Sequence, residues 1–237
     1  MYQQEINLLE KLNKEHKDKM KNIIDISKIK NRYTYEDYKN LSENLVEQKR
    51  TTGLSQSESL IEYTKLNYFR MTRVDKTMVI KNDVKKAVES IDEKKYWILI
   101  TEAWCGDAAQ IVPIIGRLAE LNSNIELTIA LRDENPELMN KNLTNGSRSI
   151  PMLISLNANY EEEWHWGPRP KPAQAMVIEN KETQALSYDE MKTQVQLWYA
   201  EDKTNTTQQE VMKKIYQAAF NSLNQSIQEI KSKAEAE

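Results

Sequence analysis

In a chain of 237 residues whose apolar side chains mostly recur at helical spacing, one stretch breaks the period: Tyr96-Trp97-Ile98-Leu99-Ile100 is apolar without interruption. Its aromatic and β-branched content suits a strand buried on both faces, and it is far too short to cross a membrane. Helical spacing resumes at Gly106, with Ile111, Ile114, Ile115, Leu118 and Leu121. A strand running straight into a helix opens a βαβ unit, and the rest of the fold has to be arranged around it. Ile125 to Leu131 supplies a second strand, and a short helix follows near Pro136 to Leu143. Met152 to Leu156 and Tyr160 to Trp166, separated by Asn157-Ala158-Asn159, form a hairpin. The sum is β-α-β-α-β-β-α, an α/β fold whose mixed sheet of about four strands has its first two strands parallel and its last two antiparallel.

The flanks are expected to be helical. Residues 1 to about 92 read as helix throughout, beginning with a stripe of Ile6, Leu8, Leu9 and Leu12. Thr34 caps a second helix, Thr52-Gly53-Leu54-Ser55 is a break, and a third helix presents Leu60, Ile61, Tyr63, Leu66, Phe69, Met71 and Val74 as one broad apolar face. A fourth runs around Val84 to Ile91. Beyond the hairpin, Ser187-Tyr188-Asp189-Glu190 is a capping box, and Thr206 or Thr207 caps a last helix. There Tyr216, Phe220, Leu223, Ile227 and Ile230 alternate spacings of four and three, a seam suited to helix pairing. That seam packs either on the chain's own N-terminal helices or on a second copy in a homodimer.

Composition excludes several functions. Thirty-three basic and 36 acidic residues leave a net charge of −3, which gives no global reason to expect nucleic acid or an anionic membrane as partner. The opening residues lack the basic-then-apolar pattern of a secretory leader, so a soluble, cytoplasmic protein is expected. A single cysteine rules out an intrachain disulfide and any zinc site needing two sulfur ligands. With only His16 and His165 besides, neither a metal site nor a bound cofactor is expected.

That cysteine, Cys105, falls in Trp104-Cys105-Gly106-Asp107-Ala108, where the first strand gives way to the helix. The arrangement resembles the way the thioredoxin superfamily presents its nucleophile, and other offsets agree. Pro113 lies where thioredoxins kink the active-site helix, and Asp133-Glu134-Asn135-Pro136 is similar to the Asp-x-Asn-Pro after their next strand. Ile150-Pro151 matches the pair whose proline is cis and faces the reactive sulfur, and Gly167 matches the glycine lining the substrate groove. Most similar are bacterial thioredoxin-like proteins with a helical N-terminal extension, which share Arg132-Asp133-Glu134 and Trp166-Gly167-Pro168-Arg169-Pro170. The resemblance implies a thioredoxin-like domain over 92–183, a helical extension over 1–91 and C-terminal helices over 184–237. It also implies a substrate groove built from Trp104, Gly106, Asp107, Ile150, Pro151, Trp166 and Gly167.

Two departures bear on mechanism. The resolving cysteine of Cys-x-x-Cys is Ala108, and the buried aspartate six residues before the first cysteine is Leu99. Both losses fall on release of a mixed disulfide rather than on its formation. At a helix N-terminus, backbone N–H groups would favour the Cys105 thiolate, Asp107 and Glu102 would oppose it, and Arg169 would either contact the thiolate or another anion or stand as a surface charge. Asp107 in the first turn is otherwise expected to satisfy the helix end. Strand alternation places Trp164 and Trp166 on one face and His165 on the other, making His165 a structural or exposed histidine rather than a base.

Two functions follow from these residues. One is a single-cysteine thiol oxidoreductase acting on a protein or low-molecular-weight thiol or disulfide, with an external thiol completing the exchange. The other is a redox-inactive binding or scaffold protein that uses the proline groove and the helical flanks.

Overall fold

The structure is a computed structural model and describes residues 23–234. The Ile6–Leu12 stripe lies outside the described residues. Three helices lead into the sheet: α1 (Tyr35–Glu47), α2 (Glu58–Thr77) and α3 (Asn82–Glu89). Then come β1 (Lys95–Thr101), α4 (Ala108–Ala119), β2 (Ile125–Leu131), α5 (Pro136–Lys141), β3 (Met152–Leu156) and β4 (Glu162–Trp166). The chain continues as α6 (Lys171–Thr183), α7 (Tyr188–Asp202) and α8 (Asn205–Ala234).

The sheet has the order β2-β1-β3-β4. β1 pairs β2 in parallel from Lys95↔Ile125 to Thr101↔Leu131, and β3 pairs antiparallel with both β1 and β4. β1 is central, which is why its apolar run has no polar alternation: Trp97, Ile98, Leu99 and Ile100 are all fully buried. α4 is apolar around nearly its whole circumference because it is wedged between the sheet and α2. The hairpin is shorter than its sequence reads. Tyr160 adopts φ 61° to close the turn, the Asn157 side chain accepts the N–H groups of Asn159 and Glu161, and β4 begins at Glu162.

The N-terminal flank is not helical throughout. Residues 23–33 run as a strap with one 3-10 turn at Ile26–Lys28. The strap bridges Glu161 beside β4 at Ile23 and Ile129 of β2 at Tyr33, so it joins the two opposite edges of the sheet. Ile24, Ile26 and Ile29 are buried along it, and covering an apolar sheet face explains why they do not recur at helical spacing. Asn135 pins the strap: its Oδ1 accepts the Lys30 N–H at 2.8 Å while its Nδ2 donates to the Lys30 and Leu131 carbonyls.

Caps at Thr34 and Ser187 form full capping boxes with Asp37 and Glu190. The last helix starts at Asn205, ahead of the threonines expected to cap it. Asp202 accepts the Thr206 N–H instead, at 2.9 Å. The buried face of α2 runs through Thr64, Asn67, Met71 and Val74, leaving Leu66 and Phe69 exposed. Among the described residues, no helix is long and apolar enough to cross a membrane.

Candidate functional site

The loop between β1 and α4 is held from both flanks by side chains of the α1–α2 loop, α2 and α7. The Ala103 N–H donates to Thr52 Oγ1 at 3.0 Å, and Asn67 Nδ2 of α2 donates to the Ala103 carbonyl at 3.1 Å. On the other side, Gln196 Nε2 of α7 donates to the Gly106 carbonyl at 3.2 Å, and Gln110 of α4 donates to Gln196 Oε1 at 2.8 Å. Buried backbone groups need partners, and the Ala103 and Gly106 groups take theirs from side chains outside the βαβ unit.

Cys105 sits just ahead of α4, with its side chain 8% exposed. Its Sγ–H donates to the Ile150 carbonyl at 3.5 Å, beside the cis Ile150–Pro151 peptide. Burial pushes the thiol up to about 12, and the Asp107 carboxylate adds to the rise. The backbone N–H groups of Ala108 and Asp107 and the Arg169 guanidinium act in the opposite sense without prevailing. The helix N-terminus therefore contributes as expected, but desolvation outweighs it, and the resting sulfur is a thiol.

Asp107 makes no capping hydrogen bond to α4. Its Oδ2 pairs with Arg169 Nη2 at 2.7 Å and its Oδ1 accepts the Tyr199 hydroxyl at 3.0 Å. Burial raises the Asp107 pKa, while Arg169 and Tyr199 hold it down. Arg169 is thus committed to a carboxylate rather than left as a surface charge, and it bears on the sulfur through Asp107's immediate surroundings. Glu102, also buried, turns away and accepts the Asp133 N–H at 2.8 Å.

Trp104, Cys105, Gly106, Asp107, Ile150 and Arg169 all line one cleft of about 1070 Å³, bounded by α2 on one side and by α6 and α7 on the other. The Arg132 guanidinium lies 4.7 Å from the centre of the Trp104 ring. Trp166 is not part of this wall. It is buried with Trp164, and its indole N–H donates to Glu210 of α8 at 2.8 Å. Gly167 and Pro151 are packed against each other: at φ 134° a Cβ on Gly167 would lie 2.3 Å from the Pro151 carbonyl oxygen. His165 is exposed and pairs with Glu162. Ala108 and Leu99 are buried without polar function. Among the described residues, no group of three or more His, Cys, Asp or Glu side chains could hold a metal ion.

Sequence reasoning missed Asn67, Arg70, Gln196 and Tyr199, which complete the site from α2 and α7. A signal existed for two of them. Asn67 is a polar residue on the stripe that Met71 and Val74 bury, and Tyr199 lies one turn beyond Val195.

A central β1 with a parallel β2 through α4 and an antiparallel β3-β4 hairpin, with the Trp-Cys-Gly loop beside the cis Ile150–Pro151 peptide, define a thioredoxin-like fold. The family model described as thioredoxin matches residues 53–192, more than half of the chain, and the protein belongs to that family. The match takes in α2 and α3 upstream of β1, so it reaches further toward the N-terminus than the motif offsets do. No curated protein matches the chain. Among solved structures, a protein of unknown function from Pseudomonas aeruginosa is similar, with 14% identity, a TM-score of 0.50, and coverage of 78% of this chain and 99% of that one. An HIV epitope-scaffold is similar at 15% identity and a TM-score of 0.48, over 78% of this chain and 98% of that one.

Proposed function

We propose that this protein is a single-cysteine thiol oxidoreductase of the bacterial thioredoxin-like type with helical flanks, working in the reducing cytoplasm. The observation that carries the reading is the position of Cys105: its thiol lies in the wall of the cleft, hydrogen-bonded to the Ile150 carbonyl and beside the Asp107–Arg169 pair. In this reading 92–183 is the reacting domain and 1–91 and 184–237 are extensions, of which α2 and α7 wall the approach to the cysteine.

The exchange balances in two steps. Cys105 first loses its proton to water entering the cleft. The thiolate attacks one sulfur of R–S–S–R′, the Sγ–S bond to R forms, the S–S bond breaks, and R′–S⁻ leaves and takes up a proton. With Ala108 in the resolving position, an external small thiolate R″–S⁻ then attacks the R sulfur, freeing the Cys105 thiolate and releasing R–S–S–R″. Intact-mass spectrometry after exposure to glutathione disulfide tests this. A reversible adduct is expected on the wild type and none on Cys105→Ser; equal thiol-exchange activity in the two proteins would overturn the reading.

The second reading, a redox-inactive groove protein, is favoured by the same burial that pushes the Cys105 thiol up to about 12. A Cys105 that forms no adduct with any disulfide, while the cleft still binds a ligand, selects it.

A further inference from the structure

The charges lining the cleft are one-sided. Arg70, Arg132, Arg148, Arg169, Lys181 and Lys192 face it, against the carboxylates of Asp107 and Asp189. Both carboxylates are already paired, Asp107 with Arg169 at 2.7 Å and Asp189 with Lys192 at 2.6 Å. Arg132 is held by Asp133 at 2.9 Å. What is left over is positive. Arg70 is half-buried, its hydrogen bond goes to the neutral amide of Asn67, and the acid it feels is the Asp107 already paired with Arg169; Arg148 and Lys181 are exposed and have no carboxylate within ion-pair distance among the described residues. In a chain whose net charge is −3, this surplus is local to the cleft. Charges focused between low-dielectric walls act more strongly than the same charges on an open surface.

Size and access point the same way. A cavity of about 1070 Å³ is at the upper end for a small-molecule site. Cys105, walled by α2 on one side and α7 on the other, is a poor target for a folded protein surface. Resting on the thiol-exchange reading above, we infer that the cleft selects a low-molecular-weight thiol, free or as its disulfide, that carries anionic groups, either carboxylates or phosphates. Its anionic end sits among Arg70, Arg148 and Lys181, and its sulfur reaches Cys105.

Binding is measured by titration calorimetry with thioethers that cannot exchange: S-methylglutathione for carboxylates and S-methyl-coenzyme A for phosphates. At least one is expected to bind the wild type. Arg70→Gln and the exposed Arg148→Gln should each weaken it about tenfold, and raised salt should weaken it further. Equally tight binding of S-methylglutathione with its carboxylates esterified, unchanged affinity in both arginine variants, or no binding of either thioether overturns the inference. The two readings fail separately. If neutral hydroxyethyl disulfide modifies Cys105 as fast as glutathione disulfide does, the anion selectivity falls and the oxidoreductase stands. If a thioether binds but no disulfide modifies Cys105, the anion site stands and the oxidoreductase falls.

Discussion

Asp107 faces two groups with opposite demands. Its charge keeps the neighbouring thiol protonated, and its pairing with Arg169 and Tyr199 keeps that charge in place despite burial. Iodoacetamide labelling of Cys105 is therefore expected to be slow at pH 7 and to rise with pH over the whole accessible range, because the thiolate population grows until pH approaches about 12. Asp107→Asn removes a like charge and frees Arg169, so labelling at pH 8 should accelerate by about tenfold, equivalent to roughly one pKa unit. A variant that labels no faster would show that burial alone sets the thiol. Gly167 is bound by a different constraint, backbone rather than charge. Gly167→Ala must place a Cβ 2.3 Å from the Pro151 oxygen at a left-handed φ of 134°. A loss of about 2 kcal/mol is expected, lowering Tm by about 4–8 °C in a thermal melt.

At the scale of elements, the site is assembled by helices that do not carry its signature. Asn67→Ala strips the Ala103 carbonyl of its partner and Arg70 of its acceptor. Chemical denaturation should show a loss of about 1–3 kcal/mol, as for a buried acceptor left unsatisfied. α1 meets α4 even more closely: a Cβ on Gly116 would lie 2.4 Å from the Tyr35 ring, and Tyr35 is itself buried. Gly116→Ala is expected to destabilise by about 1–3 kcal/mol, and Tyr35→Leu in the same chain should recover part of it, a non-additivity read from a double-mutant cycle. Such contacts explain where hydrophobic periodicity misleads. The apolar face expected of α2 holds at Met71 and Val74 but not before them, because Thr64 and Asn67 are buried there to make hydrogen bonds, and a count of apolar residues gives them no weight. The strap at 23–33 failed as a helix for a related reason: Ile24, Ile26 and Ile29 answer to the sheet face and edges, not to a helix axis.

For the whole molecule, α8 divides into two parts. Its first turns are buried through Val211 and Ile215 against β4 and α3, whereas Tyr216, Phe220, Leu223, Ile227 and Ile230 lie 41–67% exposed along the remainder. The seam is thus not consumed by the described N-terminal helices. Phe220→Glu with Ile230→Glu is expected to leave the monomer's stability within about 0.5 kcal/mol, and to abolish any concentration dependence of Tm and of sedimentation if two copies pair there. The sequence by itself determined the succession of strands and helices from β1 to β4, the parallel β1–β2 and antiparallel β3–β4 pairings, the caps at Thr34 and Ser187, and the placement of Cys105 between β1 and α4. These are local signals, written in period, turn residues and spacing. Only the tertiary structure decided the state of that cysteine and the character of the cleft around it. Burial and the buried Asp107 carboxylate set its protonation, and basic residues from six separate segments, scattered in a chain of net charge −3, converge on one cavity. Desolvation and convergence depend on distances between residues far apart in the chain, and no local pattern records them.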